Sequence, residues 1–217
     1  MKKLSTLLVS LSMLLLSACG GGSDSSSKAA VVVMFGDSLT NDRGQWVTPD
    51  QLWVEKLKAQ VEADGLTAKR SVTIVNEGLG GEDSQAALNR LPDVLAAHKP
   101  THIFLMHGTN DIPPFCPECT EVITRPYLEA MAKLAQDAGA KVIFGEFTLK
   151  AYGGETAQAY SAAYQKAAAN TKSTYVNMSN GIPYDGNYYH FDGTHFTDAA
   201  QVLIKNNAAS ALFPLLQ

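Results

Sequence analysis

Two hydrophobic patterns alternate along this chain. Short, nearly unbroken apolar runs occur at residues 30–34, 72–75, 102–107, 141–147 and 174–176. The first, Ala30-Val31-Val32-Val33-Met34, has no polar position at all and is rich in β-branched side chains. Such a run reads as a strand buried on both faces, as in a parallel sheet. Between the runs the apolar positions follow a helical period. Trp53, Leu57 and Val61 make one stripe of a helix that Thr48-Pro49-Asp50-Gln51 opens as a capping box with proline at the first helical position. That helix is expected to reach about Ala63, with Gly65 ending it. Further helices are expected at 84–97, 127–138, 156–170 and 197–212, with Pro92 restarting the first of these and Pro214 lying beyond the last. Five strands alternating with helices predict a three-layer α/β sandwich with a five-stranded, mostly parallel sheet.

The first residues follow neither pattern. Met1-Lys2-Lys3 and the apolar stretch 4–16 read as an export signal, too short to span a bilayer comfortably. Residues 20–28, Gly-Gly-Gly-Ser-Asp-Ser-Ser-Ser-Lys, are a polar, flexible linker with nothing to bury. A single soluble domain is therefore expected over 29–217. The 217 residues carry a formal net charge of −4 and no basic run, which argues against nucleic acid as a partner. With 46% hydrophobic and 18% charged residues, the chain can bury a core.

The candidate chemistry sits in the turns that follow strands. Phe35-Gly36-Asp37-Ser38-Leu39 ends the first run and places a serine hydroxyl where open α/β sheets bind ligands. Near the far end, Asp192-Gly193-Thr194-His195-Phe196 sets a carboxylate three residues before an imidazole. A carboxylate there can hold one ring nitrogen and leave the other to take a proton from serine. The second run leads into Asn76-Glu77-Gly78-Leu79-Gly80-Gly81-Glu82, and the third into Gly108-Thr109-Asn110-Asp111. A dinucleotide reading of the glycine stretch fails, because Asp83 stands where the third glycine belongs.

Taken in order, Gly-Asp-Ser-Leu, the glycine after the second strand, Gly-x-Asn-Asp and Asp-x-x-His resemble the four blocks of the SGNH/GDSL hydrolase family. The resemblance runs from about Val31 to the C-terminus. Residues 76–111 look especially like its bacterial periplasmic thioesterase/lysophospholipase branch. It implies the flavodoxin-like SGNH fold and a serine esterase with Ser38 as nucleophile, His195 as base and Asp192 as its orienting acid. It also implies an oxyanion hole from the backbone N–H groups of Ser38 and Gly81, with Gly80 as the fallback, and the Asn110 side chain. Asp37 and Gly108 are expected to support these turns. No metal or cofactor is required, and the expected partner is a small ester. The Gly-x-Ser-x-Gly elbow of the α/β-hydrolases is absent around Ser38. A carbohydrate O-acetylesterase with the same triad is the alternative within enzymes, and a catalytically inactive surface binding protein the alternative outside them.

Leu16-Ser17-Ala18-Cys19 looks like a bacterial lipobox. By that resemblance residues 1–18 are removed and Cys19 carries lipid, with outer-membrane sorting or surface exposure in a Gram-negative cell. The cleaved segment takes two lysines and no acid, so the net charge moves from −4 to −6. Cys116 and Cys119 then remain as an even pair in an oxidising compartment, and a disulfide between them is expected. A redox or zinc role lacks the necessary context. The residues around them, 112–120, read as a stiff loop walling the site. Residues 41–47 with Trp46, 151–155, and 180–189 with Tyr184, Tyr188 and Tyr189 are the other loops expected near it. His98, His102 and His107 form no metal triad and read as structural, while His190 lacks an acid at the spacing of Asp192. A monomer is the expected state.

Overall fold

The computed structural model describes residues 29–216 except 42, 65–70, 112–115 and 149. The signal segment, Cys19, the linker and Gly65 lie outside the described residues. Strands β1 (Ala30–Gly36), β2 (Val72–Gly78), β3 (His102–Met106), β4 (Lys141–Glu146) and β5 (Thr174–Asn177) form one sheet, order β2-β1-β3-β4-β5, all parallel. Between or after them run helices α1 (Trp53–Ala63), α2 (Ser84–His98), α3 (Arg125–Asp137), α4 (Gly154–Thr171) and α5 (Asp198–Leu216). The expected three-layer α/β sandwich is therefore present, in the flavodoxin-like strand order.

Alternation along the strands explains the layers. Val32 and Met34 of β1, Phe104 and Met106 of β3, and Ile143 of β4 pack with α1 and α5 on one face. Val33, Phe35, Ile103, Leu105, Val142 and Phe144 pack with α2, α3 and α4 on the other. Both faces of the central strands are buried, hence the unbroken apolar runs.

The strand order reverses between β1 and β3, which leaves a crevice at their carboxyl ends. Register brings the turns there together: Gly36 pairs with both Gly78 and Met106. The segments after residues 36, 78 and 106 leave the sheet at one level.

Four expectations about elements are corrected. The helix from Pro49 is broken: Pro49–Gln51 is a single 3₁₀ turn, and Leu52, at ψ 138°, separates it from α1. The Gln51 Oε1 does accept the Thr48 amide at 3.0 Å, as a capping box requires. The α1 terminus proper is closed from elsewhere, since the Trp53 amide donates to Gln201 Oε1 of α5 at 3.0 Å. Helix α2 runs through Pro92 without restarting. Buried Leu91 and Val94 anchor both sides, and Pro92 lies on the exposed face, where water can serve the orphaned carbonyl. Helix α5 likewise continues past Pro214, because Leu216 at its end is buried. Residues 117–124 are helical, a short α turn at Pro117–Cys119 and a π turn at Thr120–Thr124, and not the end of a loop. The Cys116–Cys119 disulfide is formed and spans that first turn.

Candidate active site

The β1 turn holds Ser38 by local bonds. Asp37 Oδ1 accepts the Leu39 amide at 2.9 Å, and its backbone carbonyl accepts the amides of Thr40 and Asn41 at 3.1 and 3.0 Å. The Trp53 indole N–H donates to the Leu39 carbonyl at 3.0 Å, and Asn76 Nδ2 donates to that of Thr40 at 3.2 Å. Ser38 is thus fixed from α1, from β2 and from within its own turn. Asp37 is fully buried, and desolvation raises its pKa against the lowering effects of His107, the Leu39 amide and Thr109. Its hydrogen bonds are to its own turn and not to His195.

Residues 192–195 form the other half. Asp192 Oδ1 accepts the amides of Thr194 and His195, both at 3.0 Å, so the carboxylate closes its own turn. Its Oδ2 lies 2.6 Å from His195 Nδ1, and His195 Nε2 lies 2.8 Å from Ser38 Oγ. Burial pushes the Asp192 pKa up, but the bonds from the His195 ring and the two amides outweigh it and hold the carboxyl below its ordinary value. An ionised carboxylate can only accept, so Nδ1 carries the ring proton. Nε2 is then the acceptor, and the Ser38 hydroxyl donates to it. That is the tautomer a general base needs. The His195 ring is stacked on Trp46 at 4.7 Å, with the planes 14° apart.

A cavity of about 480 Å³ opens over Ser38, lined by Arg43, Trp46, Gly80, Gly81, Asn110 and His195 among others. Both glycines named from the sequence border it. A Cβ on Gly80 would lie 3.6 Å from that of Ser38, whereas Gly81 has φ +79° and open space where a Cβ would stand. Asn110 Nδ2 donates one bond, to the Glu82 carbonyl at 3.0 Å. An amide nitrogen carries two hydrogens, so one remains for a ligand. Gly108 has φ +125°, and a side chain there would meet Thr124 and Tyr160 at 2.5 and 3.0 Å.

The bond to Glu82 leads to a cluster that pattern reading missed. Glu82 is buried between Arg90 and His107: Arg90 donates to both its oxygens at 2.7 Å, and His107 Nε2 lies 2.8 Å from Oε2. Desolvation raises the Glu82 pKa, but Arg90 and His107 outweigh it and hold it at about 2. Arg90 also bonds Glu77 at 3.1 Å and sits 4.4 Å above the Phe35 ring. The other missed feature is the β3 end. Tyr160 and Tyr164 of α4 both donate to the His107 carbonyl. Burial holds both phenols well above their ordinary pKa, so they remain donors. The i,i+8 spacing of Glu82 and Arg90 on either side of the α2 start was the one available hint.

Among the described residues His190 is joined to no acid, and its ring lies 5.0 Å from that of Trp46. His98 pairs with Glu77 at 2.7 Å, and His102 with Thr101 at 2.9 Å. Among the described residues no helix is long and apolar enough to cross a membrane.

A serine, an imidazole and a carboxylate joined in that order at the switch point of a parallel sheet are the arrangement of a serine hydrolase. Residues 34–203 match the model of the GDSL-like Lipase/Acylhydrolase family, and the chain belongs to that family. It is 30% identical over 187 residues to the protein named esterase TesA of Pseudomonas aeruginosa, covering 85% of this chain and 88% of the relative. It is 29% identical to the thioesterase 1/protease 1/lysophospholipase L1 of Escherichia coli strain K12, covering 85% and 84%. A crystal structure of TesA superposes with a TM-score of 0.75 at 29% identity, covering 85% of this chain and 99% of that one.

Proposed function

We propose that the chain hydrolyses carboxylic esters through a Ser38 acyl-enzyme. The observation that carries this reading is the unbroken line from Asp192 through His195 to the Ser38 hydroxyl. His195 takes the proton from Ser38 as Oγ attacks the ester carbonyl. Asp192 holds the imidazole in the working tautomer and stabilises its charged form. The carbonyl oxygen becomes negative and is held by the backbone N–H groups of Ser38 and Gly81 and by the free amide hydrogen of Asn110. His195 gives its proton to the leaving alcohol. It then activates the water that releases the acid and restores Ser38.

The Glu82 cluster acts at one remove. It fixes the carbonyl that orients Asn110 and the turn that carries Gly81, so the oxyanion donors are set before substrate arrives.

The test is hydrolysis of p-nitrophenyl esters from acetate to palmitate by wild type and Ser38→Ala. Activity in the wild type and its loss in the variant are expected. Equal activity in both would place the nucleophile elsewhere.

At the N-terminus we propose cleavage after Ala18 and lipid on Cys19, with the 20–28 linker tethering a monomeric domain to a membrane. The lipobox-like Leu-Ser-Ala-Cys and the polar tether support this. Mass spectrometry of the membrane-fraction N-terminus should find a lipidated cysteine; an unmodified Met1 would overturn it.

A further inference from the structure

Next to the Ser38 cavity is a second open cavity, of about 570 Å³, within the range of small-molecule sites. The rings of Tyr184, Tyr189, His190 and Phe191 line it, together with Asp185 and Thr197. The two cavities meet at one ring cluster. Trp46 lines the first, and its indole lies 5.0 Å from His190 and 5.5 Å from Phe191, which line the second. Tyr184 meets Tyr189 edge-on at 4.9 Å. A side chain on Gly193 would run into the Tyr184 hydroxyl, so this ring lies against the loop carrying Asp192 and His195.

These rings are only partly used by the fold. Phe191 is 95% exposed and Tyr184 50%. A phenyl ring left in water beside Asp192 adds nothing to the core, and aromatic side chains so placed serve as binding anchors.

The lining narrows the ligand. Among the described residues around both cavities, none has an aliphatic side chain. A long acyl chain gains affinity by burying methylenes against such side chains, and the described lining offers none. The exposed Asp185 carboxylate repels a phosphate headgroup. Flat ring faces beside a carboxylate suit a sugar, which has apolar C–H faces and a rim of hydroxyl donors. Position agrees with this. The leaving alcohol must receive its proton from His195, so it departs on the imidazole side. Trp46, stacked on that imidazole, is the wall between the two cavities.

We propose that the substrate is a sugar ester, with a small acyl group in the Ser38 cavity and the sugar ring in the cavity of Tyr184 and Phe191. This rests on the Ser38 acyl-transfer reading above. Ser38 Oγ bonds to the acyl carbon and the bond from that carbon to the sugar oxygen breaks. The proton taken from Ser38 passes through His195 to the freed sugar hydroxyl. Water then cleaves the acyl-enzyme to carboxylic acid and free serine.

The experiment compares kcat/KM for a peracetylated disaccharide and for p-nitrophenyl acetate in wild type, Phe191→Ala and Tyr184→Ala. Both side chains are exposed, so the variants are expected to fold, with circular dichroism as the check. The ratio of sugar ester to p-nitrophenyl acetate should fall at least tenfold in each variant, chiefly through KM. A ratio within twofold of wild type in both variants would overturn the proposal. So would a wild type that leaves the disaccharide uncleaved while its activity climbs from acetate to palmitate. Failure of the underlying reading looks different: the wild type would cleave neither acetate, or Ser38→Ala would retain activity on both.

Discussion

On one side of Ser38, the turns that carry Gly81 and Asn110 are fastened by buried charge. On the other, the segment from Tyr184 to Phe196 is fastened by backbone bonds and ring contacts. Glu82, with its side chain only 3% exposed, is gripped by Arg90 and His107, and its carbonyl orients Asn110. Among the described residues the 192–195 turn has no comparable clamp. Asp192 bonds its own amides, the His190 amide donates to the His195 carbonyl at 2.8 Å, and Trp46 stacks on the imidazole. The difference suits the tasks proposed for the two sides. Oxyanion donors must be fixed before charge develops, because reorienting them during the reaction would raise the barrier. The proton-relay side must also admit a leaving group and water, and it is accordingly open and rimmed by exposed rings.

The largest expected effect lies on the relay side. His195→Ala should lower kcat by on the order of 10⁴- to 10⁶-fold, because the relay acts as a unit. A loss below tenfold would remove His195 from the relay. On the donor side, Asn110→Ala should lower kcat about 10²–10³-fold with little change in KM, since the lost bond strengthens only as the oxyanion forms. A loss confined to KM would make Asn110 a ground-state contact instead.

The clamp itself is tested by stability. Arg90→Met leaves Glu82 buried without its cation and should cost up to about 3 kcal/mol in chemical denaturation. The figure for a fully buried pair is discounted because the Arg90 side chain keeps 24% exposure. Acid sharpens the same point. The Glu82 carboxyl titrates at about 2, below its ordinary 4.5. A depressed carboxyl contributes stability that is complete above its unfolded value and is lost as pH falls through the folded one. Between pH 4.5 and 2 the wild-type Tm should therefore fall more steeply than that of Glu82→Gln. Parallel curves would mean that Glu82 is not held as a charge.

The smallest effect belongs to the ring stack. Trp46→Ala should reduce kcat/KM for p-nitrophenyl acetate about 3- to 10-fold, the scale of one cation–π contact, with Trp46→Phe restoring most of it. No difference between the two variants would reduce Trp46 to a wall.

Much of this was legible in the sequence. Parallel strands buried on both faces leave unbroken apolar runs, and Ser38, Asp192 and His195 each sit in a turn with recognisable composition. The Glu82–Arg90–His107 cluster was not legible. Its members lie on three different segments and come together only through the pairing of β1 with β2 and β3. The stack of Trp46 on His195 joins residues far apart in the chain and follows no period either. Helix ends at Leu52, Pro92 and Pro214 were misjudged for a related reason. At Pro92 and Pro214 local breaker signals lost to tertiary anchors, Leu91 and Val94 holding α2 and Leu216 burying the end of α5; at Leu52 a local start signal lost instead, and Gln201 of α5 closes α1 one residue further on.

Whether Ser38 is an activated nucleophile is decided most directly by covalent labelling. The folded protein would be treated with a fluorophosphonate, digested, and its peptides weighed. A single adduct on the peptide containing Ser38, absent from Ser38→Ala and strongly slowed in His195→Ala, is the predicted result. An unlabelled wild type, or an adduct that persists in Ser38→Ala, would contradict it.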